Sequence, residues 1–193
     1  MKATAFVHIN NQGVVLNNQN ISIVDWDESS TPFKALYKHL NITYPKFYKM
    51  DNLCKLGFLG VELLKSEIDF SLFENDRITQ LFQNSYSSLD TDIVHQITIN
   101  EGEKPPSPAI FVYTLPNIVM GEIAIRNKFY GENLFTLENE FAPKSLLTLA
   151  QTQFKLNKAD AVIGGWLELF KNDFNLRLYF IDKNQYNGTY DII

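Results

Sequence analysis

The chain reads as an α/β protein built on a single mixed sheet of five strands with flanking helices. Three observations predict it. Strand-like runs alternate with runs at helical period along most of the sequence, Gly, Pro and Asn breakers fall between them, and the chain closes on two consecutive strands joined by a short turn. A length of 193 residues is enough for one sizeable core, so a single domain, 1–193, is expected.

Taken in order, Ala3–Ile9 has the apolar character of an opening strand, and Asn10-Asn11-Gln12-Gly13 signals a turn. Val14–Asp27 reads as polar and irregular, with a short apolar run at Ile21–Val24. Ser29-Ser30-Thr31 before Pro32 marks a helix start. A second helix is predicted from Pro45 to about Ser66, where Met50, Leu53, Cys54, Phe58, Val61 and Leu64 recur at three- and four-residue spacings. Arg77–Gln83 reads as a buried strand. Asp90-Thr91-Asp92 supplies a cap and first-turn acids for a helix to about Thr98.

The breaker-rich run Glu101–Pro108 is the clearest loop. Thr114–Arg126 is predicted helical, with Pro116 tolerated near its first turn. Asn133–Glu138 follows as a strand, and Pro143 opens a helix to about Lys155. Asp160–Glu168 and Asn175–Asp182 close the chain as strands, with Lys171-Asn172-Asp173 as the turn between them. No internal repeat or low-complexity tract is visible.

Composition narrows the function classes. Hydrophobic residues make up 45% and charged residues 20%, ordinary values for a globular protein. The 15 Phe and 9 Tyr call for an aromatic-rich core or interface. A net charge of −5 without any Lys/Arg cluster argues against nucleic acid as a partner. The single cysteine, Cys54, excludes an internal disulfide or a multi-cysteine metal site and is expected in the core. No stretch approaches the roughly 20 apolar residues of a membrane span, and the N-terminus carries no signal-peptide pattern, so a soluble, cytoplasmic protein is expected. No metal or cofactor is implied.

The segment Ser107–Glu140, SPAIFVYTLPNIVMGEIAIRNKFYGENLFTLENE, carries more than periodicity. With Lys49-Met50-Asp51 ahead of an apolar-faced helix, the small-residue turn Asn84-Ser-Tyr-Ser-Ser-Leu89, and Ala159-Asp-Ala-Val-Ile-Gly-Gly165, it resembles the β-ketoacyl (3-oxoacyl-ACP) synthases. These are the condensing enzymes of fatty acid and polyketide synthesis. The resemblance covers about Phe47 to Gly165. It implies a thiolase-like fold, here one N-terminal-type half of it, because a full condensing enzyme is about twice this length and pairs two such halves. The half that carries the family's active-site histidines and lysine is expected to be absent. His8, His39 and His95 match none of the family's catalytic positions, and His95 is expected on a helix surface.

Counted without gaps, Glu140 holds the place of the family's nucleophilic cysteine, and Gly165 follows at the spacing expected there. Glutamate forms no thioester. A carboxylate at the head of a helix is favoured by roughly 0.3–1 kcal/mol, so an anion there is physically comfortable, as a capping group. The resemblance therefore implies a chain-length-factor-type subunit, a silent partner of a complete β-ketoacyl synthase. Acyl carrier protein would be engaged indirectly through that partner, and aryl-polyene-type pigment systems are the nearest in kind.

By the same resemblance Tyr86, Ile110, Phe111 and Tyr113 would line an acyl pocket at a dimer interface. Asn117, Met120, Asn133, Phe135 and Leu137 would lie at the interface itself, with Asn133–Glu138 pairing near the two-fold. Arg126 would make a structural ion pair. Two alternatives stand beside this reading: a small malonyl-thioester decarboxylase or hydrolase using Glu140, and a homodimeric protein that binds acyl chains or acyl carriers.

Overall fold

The computed structural model describes residues 4–23, 32–100 and 105–185. Among these residues seven strands form one mixed sheet: β1 (Ala5–Asn10), β2 (Gly13–Leu16), β3 (Gln19–Ile21), β4 (Ile78–Asn84), β5 (Asn133–Leu137), β6 (Ala161–Phe170) and β7 (Asp173–Asp182), in the order β3-β2-β1-β7-β6-β4-β5. β5, β4 and β6 run parallel, and every other pairing is antiparallel.

The expected five strands are a contiguous block within this sheet, and the expected count is corrected by the β2–β3 hairpin, which extends the far edge. Val14–Ile21 is thus strand rather than irregular chain. Asn17 and Asn18 both have positive φ, 49° and 69°, the requirement of a two-residue type I′ hairpin turn. Val24–Thr31, with the expected helix start at Ser29-Ser30-Thr31, lies outside the described residues, as do residues 101–104 of the expected loop.

Among the described residues six α-helices accompany the sheet: α1 (Pro32–His39), α2 (Asn52–Glu67), α3 (Leu89–Asn100), α4 (Pro108–Phe111), α5 (Ile118–Asn127) and α6 (Pro143–Lys155). The single helix expected from Pro45 is broken. A 3₁₀ turn at Pro45–Lys49 ends at extended Met50, and Asp51 restarts the chain as the N-cap of α2, accepting a hydrogen bond from the Cys54 amide at 2.9 Å. The helix expected from Thr114 begins four residues later, and α4 forms earlier from Pro108, capped by Ser107.

The sheet has two unlike faces. On one, α2 and α5 bury the main core, including Phe47, Leu56, Phe58, Leu59, Phe82, Met120, Ile123 and Leu176. Gly57 lets α2 and α5 touch, since a Cβ there would overlap the Val119 side chain. On the other face α6 covers only the strands around β4 and β6, through Leu146, Leu147, Ala150 and Phe154. Between β6 and β7 the backbones come so close at Gly165, φ +156°, that a Cβ would overlap the Arg177 carbonyl oxygen. Among the described residues no helix is long and apolar enough to cross a membrane.

Candidate functional site

Connections in this sheet leave the parallel strands in two directions. From β4 the chain crosses by α5 on one face to reach β5, and from β5 it returns by α6 on the other face to β6. The carboxyl ends of β4 and β5 thus flank a topological switch point, the position where open α/β sheets hold their ligands. Tyr86 follows β4, and Glu140 lies between β5 and α6, so both occupy this edge.

The turn after β4 is tightly made. Asn84 exchanges hydrogen bonds with the Ser87 backbone at 2.8 and 2.9 Å, and Ser87 takes positive φ. Glu168, on β6, accepts from the Ser85 amide at 2.9 Å and from the Ser85 hydroxyl. Tyr86 stacks on Phe170, 4.9 Å between ring centroids. The Ser88 hydroxyl then donates to the Thr114 carbonyl at 2.8 Å, joining this turn to the segment that carries Ile110, Phe111 and Tyr113.

Those three residues part company. Tyr113 turns inward, and its hydroxyl donates to Glu122 at 3.2 Å; burial, then the Glu122 charge, push its phenol far up. Glu122, 4% exposed, is neutralised by Lys46 at 2.8 Å. Ile110 is half-buried, while Phe111 is 62% exposed and packs on the His95 ring at 5.5 Å. His95 is half-buried rather than on a free helix surface, since α4 folds back over α3.

The residues expected at an interface are placed as follows. Asn117 is the exposed N-cap of α5, and its carbonyl, not its side chain, accepts from Met120 and Gly121. Met120 is fully buried in the main core. Asn133, Phe135 and Leu137 lie on β5, the edge strand. Asn133 is exposed, Phe135 packs against the main core, and Leu137 is 60% exposed. Beside α4, α3 shows Ile93, Val94, Ile97 and Ile99 to solvent and buries only Thr91.

Glu140 is exposed, and it does not cap α6; the N-cap is Ala142, without a side-chain cap bond. The outward face of α6 is polar: Lys144, Ser145, Thr148, Thr152 and Lys155 are all exposed. On this side the molecule therefore presents a polar helix face.

Sequence reasoning missed a polar cluster that pins this region from below. The Asp51 carboxylate, besides capping α2, accepts from the Thr91 hydroxyl at 2.6 Å and so holds the head of α3. Burial raises the Asp51 pKa against the hydrogen bonds that lower it. Nearby Cys54 is buried, and burial followed by Asp51 pushes its thiol well up, an inert thiol. Arg126 pairs with Glu62 at 3.0 Å and lies 5.0 Å over the Tyr44 ring. A groove lined by Lys65, Glu67, Asp69, Ser71, Arg126 and Lys128 lies at the carboxyl ends of α2 and α5, away from the switch point. No grouping of three or more His, Cys, Asp or Glu suited to a metal ion occurs among the described residues.

No protein-family model matches the sequence, and no curated protein does. Solved structures match over most of the chain. A chain of the ishigamide ketosynthase/chain length factor aligns with a TM-score of 0.70 over 93% of this chain and 61% of that one, at 11% identity.

The fold is shared.

A chain of the AntDE:AntF assembly, a type II PKS acyl-carrier protein in complex with its ketosynthase bound to the hexaketide, gives 0.63 over 94% of this chain and 62% of that one, at 13% identity. A chain from the complex of the ketosynthase ApeO with its chain length factor ApeC of Xenorhabdus doucetiae gives 0.51 over 80% and 72%, at 10% identity. The present chain thus spans about 61% of the length of the first of these.

Proposed function

We propose that the chain is a non-catalytic, chain-length-factor-type subunit that pairs with a complete β-ketoacyl-ACP synthase in polyketide or fatty acid synthesis, possible products including aryl-polyene-type pigments. The observation that carries this reading is Glu140 at the β5–α6 junction of a chain with the ketosynthase/chain length factor fold. By the ungapped count from Ser107, a carboxylate there takes the place of the thiolate that condensation needs.

The surface supports a large apolar partner. Among the described residues β5 ends the sheet with its outer edge unpaired, and Leu134 and Leu137 are exposed. Phe111, Val112 and Leu115 project from the neighbouring segment, and the bare face of α3 adjoins α4. Apolar patches of this kind mark interaction sites, and an open strand edge is a template for pairing with another strand. In the pair, the β5 edges meet near the two-fold, and Tyr86, Ile110 and Phe111 shape the partner's acyl pocket. Tyr113 serves from inside, fixing the segment through Glu122. Acyl carrier protein docks on the synthase, in keeping with this chain's own net charge of −5.

Co-expression with a full-length synthase encoded nearby, followed by size-exclusion chromatography, tests the reading. Co-elution at equal stoichiometry, lost on Leu137→Lys, is the expected result. A chain that is stable alone and never co-elutes with the synthase overturns it.

A further inference from the structure

The head of α6 is unusual in its wiring. Helix N-termini leave several backbone amides without intrahelical partners, and a local Ser, Thr, Asp or Asn normally answers one of them. Here the N-cap is Ala142, which has no side chain for the task, and Pro143 at the first helical position has no N–H. The answer comes instead from another strand. Gln83, near the end of β4, accepts a hydrogen bond from the Ala142 amide through Oε1 at 3.3 Å.

Gln83 is 1% exposed, and its Nε2 is buried without a protein partner. Thr136, opposite Gln83 in the β4–β5 register, has its hydroxyl buried and unpartnered as well. Three features therefore converge under the β5–α6 junction: a helix head without a cap of its own, a carboxamide reaching it from inside, and two polar groups with unmet hydrogen-bonding capacity. A glutamine held dry on an inner strand has lost its hydration, and its side-chain hydrogen bond goes to α6.

We infer that Gln83 is the built-in occupant of a latent oxygen-binding site at the head of α6. Its carboxamide oxygen takes the position that the oxygen of an acyl carbonyl or a small carboxylate would need. In the native chain the site is closed; with the side chain removed, it accepts a small carboxylate or amide from solution. The helix end then favours the anion over the neutral amide. This stands on the geometry of β4, β5 and α6 alone and holds whether or not the chain pairs with a synthase.

The test removes the occupant and offers a replacement. Gln83→Ala is melted with increasing sodium acetate or acetamide, with sodium chloride as the ionic-strength control. The variant is expected to melt lower than wild type and to regain stability saturably at millimolar ligand, acetate acting at lower concentration than acetamide. Wild type should show no saturable response to either. Equal responses in the two proteins, or no recovery in the variant, overturn the inference.

Should Gln83→Ala fail to fold, Gln83→Met, of similar size and without the acceptor, carries the test by amide hydrogen exchange. The Ala142 amide should exchange at least about tenfold faster than in wild type, as expected when its acceptor is lost. An Ala142 amide already unprotected in wild type refutes the contact.

Discussion

Asp51 offers the sharpest test of how the candidate site is held. Replacing it by Ala removes the N-cap of α2 and the acceptor of the Thr91 hydroxyl in one step. Loss of an N-cap costs about 1 kcal/mol, within a range of roughly 0.5–2. Leaving the enclosed Thr91 hydroxyl without its acceptor costs about 1–3 kcal/mol more. Together these give about 3 kcal/mol, or about 6–12 °C in Tm at 2–4 °C per kcal/mol for a chain of this size.

Asp51→Asn separates charge from hydrogen bonding, because Asn caps a helix about as well as Asp. The sign follows from the raised pKa, which burial causes. A carboxyl whose pKa is higher in the fold than in the unfolded chain stabilises the fold when protonated. That contribution is complete below the unfolded value, about 3.9, and is lost as pH rises through the folded value. The Asn variant lacks this loss, so its Tm relative to wild type should improve between about pH 3.5 and 7. Differential scanning calorimetry across that range decides the matter. An Asp51→Ala protein melting within about 2 °C of wild type, or an Asn variant whose Tm difference from wild type is flat with pH, refutes the reasoning.

Four further outcomes are expected. Tyr113→Phe should cost about 1.5–3 kcal/mol, the worth of a hydrogen bond to a charged group, and in an alkaline absorbance titration it should delete one phenol that ionises later than the exposed tyrosines. Gly165→Ala should abolish the soluble fold, visible as loss of cooperative melting, because the added methyl meets the Arg177 carbonyl. Glu140→Gln should shift stability by less than about 0.5 kcal/mol in chemical denaturation, as for other exposed residues outside a network. Glu62→Ala should cost about 1–2 kcal/mol in urea unfolding, because it breaks the partly buried pair with Arg126.

Much of the fold could be read from the residues because its signals are local. The stripe Leu53–Leu64, Pro143 opening α6 and the two closing strands each carry their own period or breaker, and the structure differs only at their ends. The β2–β3 hairpin escaped because its strands are only four and three residues long and β3 is polar, although Val14-Val15-Leu16 is apolar and Asn17-Asn18 carried the turn signal. The break at Met50-Asp51 was hidden by an apolar spacing that continues across it. The polar ties were out of reach for a different reason. Lys46–Glu122, Asp51–Thr91 and Gln83–Ala142 join residues 40 to 76 positions apart, and no spacing rule connects them. What was visible at Gln83 was a polar residue in a strand read as buried, and such a residue needs a partner somewhere.

Helix α3 keeps a single side chain, Thr91, inside the protein, and that one is moored to Asp51. An element so lightly seated peels away long before the sheet beneath it gives, so deuterium should fill its amides early and those of β4 and β6 last. Ordering α3 against another surface would then add rigidity that the isolated chain lacks. Newly made protein left waiting for such a surface would clump through the same isoleucines.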